Sequence, residues 1–166
     1  GQVWPAALGL CQYLVENPSN IKDKNVLELA GGLGLPSLVA AHFAKSVCCS
    51  DYIKDAVDIV TESAKLNHLN IFTEVIDCNH IPDDKLGDVI LLSDINYEPA
   101  VFDELYISLT QILNKGAKII LSTPQRLMAK PFIEKLLPFV MEQTEVEVLN
   151  SENRKEWVSV YILEKH

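Results

Sequence analysis

Short apolar runs alternate with stretches of helical spacing through most of this chain. That rhythm limits the possible folds more than any single residue does. Val26–Ala30, Ser46–Asp51, Thr73–Asp77, Asp88–Asp94 and Lys118–Ser122 read as strands. The fourth, "DVILLSD", is apolar almost throughout, as expected of a central strand covered on both faces in a parallel sheet. Leu35–Phe43, Lys54–His68 and Pro99–Leu113 read as helices between them, the last closed by Asn114-Lys115-Gly116. In Lys54–His68 the apolar Ala56, Val57, Val60 and Ala64 recur at helical spacing toward the core. A helix over Trp4–Glu16, closed by Asn17-Pro18, precedes the first strand. Leu127–Met141 has helical spacing too, with Pro131 and Pro138 predicting a late start or a break.

The tail departs from the rhythm. "TEVEVLN" (144–150) alternates polar and apolar residues, and "WVSVYILEK" (157–165) is rich in β-branched and aromatic ones. Only the polar turn Ser151–Glu156 separates them, which predicts an antiparallel hairpin. The expected architecture is an α/β, Rossmann-like three-layer sandwich. Its seven-strand, mostly parallel sheet ends in that hairpin. The 166 residues, 48% hydrophobic and 22% charged, suit one folded domain over 1–166.

Composition removes several classes of function. No run reaches the roughly 18 apolar residues of a membrane span, and the start lacks the charged-then-apolar form of a leader, although it is Gly1 rather than Met. No membrane partner is expected. The net charge of −9 argues against nucleic acid and is compatible with a basic protein surface or a neutral small molecule. Cys11, Cys48, Cys49 and Cys78 form no CxxC pair, so no metal is expected. They read as buried, reduced thiols of a cytoplasmic protein. The four histidines lack metal or triad spacing, and no serine sits in a G-x-S-x-G elbow. Nothing in the sequence sets the oligomeric state.

In such sheets ligands collect at the carboxyl ends of the strands. There the sequence offers Glu28 and "AGGLG" (30–34), then Asp51, Asp77 with Cys78, Asp94 with Asn96 and Tyr97, and finally "TPQR" (123–126). A dinucleotide fingerprint needs G-x-G-x-x-G, and neither Gly31 nor Gly32 starts one, because Leu33 and Ser37 stand at the required positions. Glu28, two residues before the loop, would repel a pyrophosphate and suits a ligand carrying positive charge. Asp51, 19 residues past Gly32, stands where an acid commonly accepts hydrogen bonds from ribose hydroxyls. Asp77 could accept from the amino group of an adenine. A ligand with a ribose, an adenine, an ammonium and no phosphate is S-adenosylmethionine.

The order of these motifs resembles the class I, seven-strand S-adenosylmethionine-dependent methyltransferases, over essentially the whole chain. "VWPAALGLCQYL" (3–14) and "DINY" (94–97) are similar to the Trp-Pro helix and D-x-x-Y motif of a subgroup of protein lysine methyltransferases. That subgroup includes enzymes acting on the electron-transfer flavoprotein β-subunit, calmodulin and chaperones. The resemblance implies that Trp4 packs over the adenosine end of the cofactor. Gly31, Gly32 and Gly34 would let the backbone approach its methionine part, with Glu28 behind them. Asp51 would take the ribose, and Asp77 with Cys78 the adenine. Asp94 and Tyr97 would stand at the mouth where methyl transfer occurs, Asp94 orienting the acceptor amine and Tyr97 walling its channel. Ala30 departs from the family's first glycine and is tolerable only where the backbone is not left-handed. "STPQR" (122–126) matches loosely, leaving Arg126 a minor candidate.

The implied activity is methylation of a protein lysine side chain. The chain has little spare length for a lid, which favours an open site and a macromolecular substrate. A small-molecule amine methyltransferase and a non-catalytic S-adenosylmethionine-binding scaffold remain open beside it. A nicotinamide dehydrogenase is disfavoured by the glycine spacing.

Overall fold

The computed structural model describes residues 2–95 and 99–166. The strands are β1 (Asn25–Leu29), β2 (Ser46–Asp51), β3 (Phe72–Val75), β4 (Val89–Ser93), β5 (Lys118–Pro124), β6 (Val140–Leu149) and β7 (Lys155–Leu163). They form one sheet in the order β3-β2-β1-β4-β5-β7-β6. The first five strands pair in parallel, while β7 runs antiparallel to both β5 and β6. The chain thus builds outward from β1 to β3, then returns to lay β4 on the other side of β1. That reversal opens a crevice above the ends of β1 and β4.

The helices are α1 (Pro5–Glu16), α2 (Leu35–Ala40), α3 (Lys54–Leu66), α4 (Phe102–Asn114) and α5 (Lys130–Leu136). Side chains on β4 point alternately to opposite faces, and both faces are covered. Ile90 and Leu92 join Leu105, Leu109 and Leu113 of α4 and Phe132 and Leu136 of α5 in one core. Val89 and Leu91 join Leu10, Tyr13 and Leu14 of α1 in the other. Burying a Leu or Ile side chain in this way stabilises by about 1.5–3 kcal/mol. This is why the central strands read so plainly as unbroken apolar runs.

The first helix is held unusually close to the sheet. A Cβ on Gly9 would lie 2.6 Å from Cγ1 of Val158 on β7, so only glycine fits. The buried Ser122 hydroxyl of β5 donates to the Ala6 carbonyl at 2.8 Å. Pro5 opens α1, a position where its missing N–H costs nothing. These contacts fix the start of α1 above the carboxyl ends of the strands, with Trp4 just before it.

Several boundaries differ from the sequence expectation. The helix expected over Leu127–Met141 contains only Lys130–Leu136 as α-helix. Pro131 sits in its first turn, and a short 3-10 turn over Leu137–Phe139 surrounds Pro138, which has no N–H for a continuing helix. Val140 already belongs to β6, so Met141 is an exposed strand residue. The hairpin is correspondingly longer than the alternating segments alone imply. The first strand stops at Leu29 because Ala30 takes φ +51°. The third stops at Val75, before Asp77. In α3, Val57, Val60 and Ala64 are buried as expected, whereas Ala56 is not in the core. No helix among the described residues is long and apolar enough to cross a membrane. The four cysteines are free, with Cys49 buried and the others half-buried.

Candidate functional site

The loop after β1 is built from backbone bonds and one carboxylate. Gly31 N–H donates to the Ser50 carbonyl at 2.9 Å, and Gly34 N–H to the Gly31 carbonyl at 2.8 Å. A Cβ on Gly31 would lie 2.7 Å from the Cys49 sulfur. Gly34 has φ +70°, and a Cβ there would lie 2.7 Å from a Val60 methyl carbon. Gly32 has φ +56° with nothing within 4 Å of the place a Cβ would take, so it faces open space. The glycines therefore have different causes: Gly31 and Gly34 are demanded by packing, Gly32 and Gly34 by left-handed backbone.

Ala30 breaks the condition under which alanine fits. Its φ of +51° lies in the left-handed region, where an L-side chain costs about 1–2 kcal/mol. The surrounding bonds hold the loop against that strain.

Asp51 ties this loop to the second strand. Its Oδ2 accepts from Gly32 N–H and its Oδ1 from Ile53 N–H, each at 2.9 Å. Each carboxylate oxygen has a second lone pair, so the group can still accept from a ligand hydroxyl.

Glu28 lies beneath the loop rather than in the wall of the crevice. It is fully buried, and its Oε1 accepts from the Ser37 hydroxyl at 2.6 Å, from Ser37 N–H at 3.1 Å and from the Cys49 thiol at 3.7 Å. Its Oε2 has no hydrogen-bond partner among the described residues. Burial pushes its pKa up to about 7, against the opposing pull of the Ser37 and Cys49 hydrogen bonds. Its direct role is to splice β1, β2 and the start of α2.

A cavity of about 810 Å³ opens above the ends of β1, β2, β4 and β5. Trp4, Gly31, Gly32, Gly34, Asp51 and Asp94 all line it. Asp94 follows β4 with φ +55°. Its side chain is 12% exposed and is gripped by both ends of the Arg126 guanidinium, Nη1 to Oδ1 at 3.1 Å and Nη2 to Oδ2 at 3.3 Å. Burial raises the Asp94 pKa, while Arg126 pulls it back down.

The structure does not bring Asp77 and Cys78 to this wall. Asp77 closes a turn on itself, with Oδ1 accepting from Asn79 N–H at 3.0 Å and Oδ2 lying 3.1 Å from His80 Nδ1. Those two contacts, the Asn79 bond above all, hold its carboxyl below the usual range. Cys78 lines a separate, small recess with Asn79 and Ser108. Tyr97 lies outside the described residues.

Sequence reasoning missed the apolar part of the wall. Ile53, Ala56 and Ile59, at the start of α3, line the cavity. Ile53 and Ile59 are exposed apolar residues off the core stripe of Val57, Val60 and Ala64, which was the available signal. Arg126, a minor candidate in the sequence, is a full member of the wall.

The wall fits S-adenosylmethionine. It offers open space over Gly32, carboxylate acceptors at Asp51 and Asp94, an aromatic at Trp4 and an apolar patch on α3, and among the described residues no cluster of cations for a phosphate. No group of metal-binding side chains occurs among the described residues. Strand order and site together define a class I S-adenosylmethionine-dependent methyltransferase. The fold is shared with the N-methyltransferase NodS from Bradyrhizobium japonicum, solved with S-adenosyl-L-homocysteine (TM-score 0.72, 14% identity, 94% of this chain and 86% of that one). It is shared too with TrmN from Thermus thermophilus (TM-score 0.70, 21% identity, 94% and 48%).

Residues 1–139 match the model of a lysine methyltransferase family, and the chain belongs to that family. It is 32% identical over 143 residues to the human histone-arginine methyltransferase METTL23, covering 81% of this chain and 75% of that protein. It is 29% identical over 127 residues to the mouse electron transfer flavoprotein beta subunit lysine methyltransferase, covering 74% and 49%. The chain spans about half the length of that enzyme and of the mouse and Xenopus counterparts of METTL23 (49% and 51%).

Proposed function

We propose that this chain transfers a methyl group from S-adenosylmethionine to the side-chain nitrogen of a lysine in a protein. The observation that carries the reading is Asp94. It is a largely buried carboxylate in the wall of the cofactor-sized cavity, and it already holds a cationic nitrogen group, that of Arg126. A site arranged in this way can orient a basic side chain. S-adenosylmethionine supplies the activated methyl group; the protein supplies alignment and electrostatics. Trp4, the Gly31–Gly34 loop and Asp51 would hold the cofactor, and Asp94 would orient the acceptor. Similarity to the flavoprotein-directed lysine methyltransferase and to the yeast protein N-terminal and lysine N-methyltransferase supports a protein acceptor. The net charge of −9 supports a basic target and no nucleic-acid partner. The free thiols support a cytoplasmic location.

A guanidinium acceptor is the second reading. The two-point grip of Asp94 on Arg126 is the match a substrate arginine would make, and METTL23 is a histone-arginine methyltransferase. The test is transfer of labelled methyl from S-adenosylmethionine to proteins of a cell lysate, followed by mass spectrometry of the modified residue. Label on lysine that disappears with Asp94→Ala supports the proposal. Label on arginine selects the second reading, and binding of S-adenosylmethionine without any transfer refutes both.

A further inference from the structure

A carboxylate alone is a poor partner for an amine that must react. A lysine has a reference pKa of about 10.4, and only its neutral form carries the lone pair that attacks a methyl group. A nearby carboxylate stabilises the ammonium and holds the lysine in its unreactive form. Asp94 is not alone, however. Arg126 follows β5, the strand beside β4, so the two side chains meet at neighbouring strand ends. The guanidinium occupies one lone pair on each Asp94 oxygen and leaves the others able to accept from an amine N–H.

We propose that Arg126 is a positioning residue that makes the acceptor subsite electrically balanced, so that it takes the substrate lysine as the neutral amine. The inference rests on the lysine reading above. Asp94 would accept an N–H and aim the nitrogen, while the positive charge of Arg126 opposes an ammonium at the same place. The proton of the lysine leaves to solvent as the side chain enters. The amine lone pair then forms the N–C bond, the C–S bond of the sulfonium breaks, and its electron pair stays on sulfur as the thioether. The product leaves as the N-methylammonium, which stays protonated in water, so one proton is released for each methyl transferred.

The other charged groups around the pair do not restore an excess of negative charge in contact with the acceptor. Glu156, at the start of β7, acts on Asp94 only through space. Asp51, on the cavity wall at the end of β2, is already engaged by two backbone N–H groups. Arg126 is also the only Lys or Arg among the described residues that line the cavity. A guanidinium that is 39% exposed at a strand end is not needed to fill the core, so its replacement should leave the fold intact.

The test uses the whole chain and Arg126→Gln, with Arg126→Lys as the charge-conserving control. The probe is a synthetic peptide with one central lysine, bound in the presence of S-adenosylhomocysteine. Calorimetry in buffers of different ionisation enthalpy counts protons released. The wild type should release close to one proton per lysine bound at pH 7.5, and Arg126→Gln clearly less. The midpoint of the kcat–pH profile, which reports the bound state, should move upward by about one unit or more in Arg126→Gln. A shift of one unit from a midpoint of about 6.5 lowers kcat about twofold at pH 7.5 and roughly tenfold below both midpoints, and the loss is regained at high pH. Arg126→Lys should stay near the wild type in both readouts. Equal proton release by wild type and Arg126→Gln, or a loss of kcat that is the same at every pH, overturns the proposal. A wild type that binds S-adenosylhomocysteine but neither binds nor methylates lysine peptides refutes the lysine reading itself.

Discussion

Replacing Glu28 by glutamine tests whether the buried carboxyl under the glycine loop carries a proton near neutrality. The side chain is fully buried, and among the described residues one oxygen takes all three of its hydrogen bonds and the other has no partner. Its pKa is raised from 4.5 to about 7 in the folded chain. In the unfolded chain it returns to the ordinary value. Below pH 4.5 both states hold the proton and the group contributes no pH dependence. Between about 4.5 and 7 the unfolded state gives up its proton while the folded state keeps it, so stability falls as pH rises. Above 7 both states are ionised and the loss levels off. A shift of this size corresponds to about 3 kcal/mol, at 1.36 kcal/mol per unit. Glutamine keeps a carbonyl oxygen for Ser37 and cannot ionise. The assay is urea unfolding of both proteins at pH 5 and pH 8. The stability of Glu28→Gln relative to the wild type should improve by about 2–3 kcal/mol between the two pH values, because part of the loss is already present at pH 5. This double difference cancels any constant cost of placing an amide NH₂ where Oε2 now sits. A relative stability that does not change with pH would refute the argument, because Glu28 would then ionise normally despite its burial.

Three further outcomes follow from the loop and the first helix. Ala30→Gly relieves the left-handed alanine and should stabilise by about 1 kcal/mol, raising Tm by roughly 2–4 °C. Asp51→Ala frees the N–H groups of Gly32 and Ile53 and removes the expected ribose acceptor; affinity for S-adenosylmethionine, read by calorimetry, should fall by about tenfold or more. Gly9→Ala drives a methyl into Val158 and should cost about 1–3 kcal/mol in chemical denaturation.

The fold was legible in the sequence wherever a strand is covered on both faces. Residues 89–92 in β4 and 119–121 in β5 can only be buried, and their order relative to the helices leaves few topologies. Element ends were less legible because they depend on single backbone conformations. Ala30 ends β1 by turning left-handed, which nothing in "LELAGG" declares. In the segment before β6, Pro131 and Pro138 announce the late start and the break of the helix, but helical spacing that persists across Pro138 hides that Val140 and Met141 already belong to β6. In the candidate site, the acids and glycines stood out because such residues are informative at strand ends. Ile53 and Ile59 did not, since their one mark in the sequence is a place off the core stripe of α3, which points to no chemistry until a cavity is seen beside it. Asp77 marked a strand end in the sequence, but β3 stops at Val75 and leaves it bonded to its own turn. The Asp94–Arg126 pair joins residues 32 apart in sequence, and only the adjacency of β4 and β5 reveals it.

The hairpin that closes the sheet has a consequence for behaviour in a crowded solution. β6 is ten residues long and lies at one rim of the sheet, where an unpaired backbone invites another strand to add. Glu142, Glu145 and Glu147 are spread along that rim, and the pairing with β7 slips between Val140 and Glu142. Repeated negative charge repels a second copy of the same rim, and the irregularity spoils the flat template that a foreign strand would need. At the opposite rim β3 offers only four residues, too short a ladder to recruit much. The sheet therefore ends at seven strands by electrostatic and geometric exclusion, and the acids along its rim guard it against fibre-like self-association.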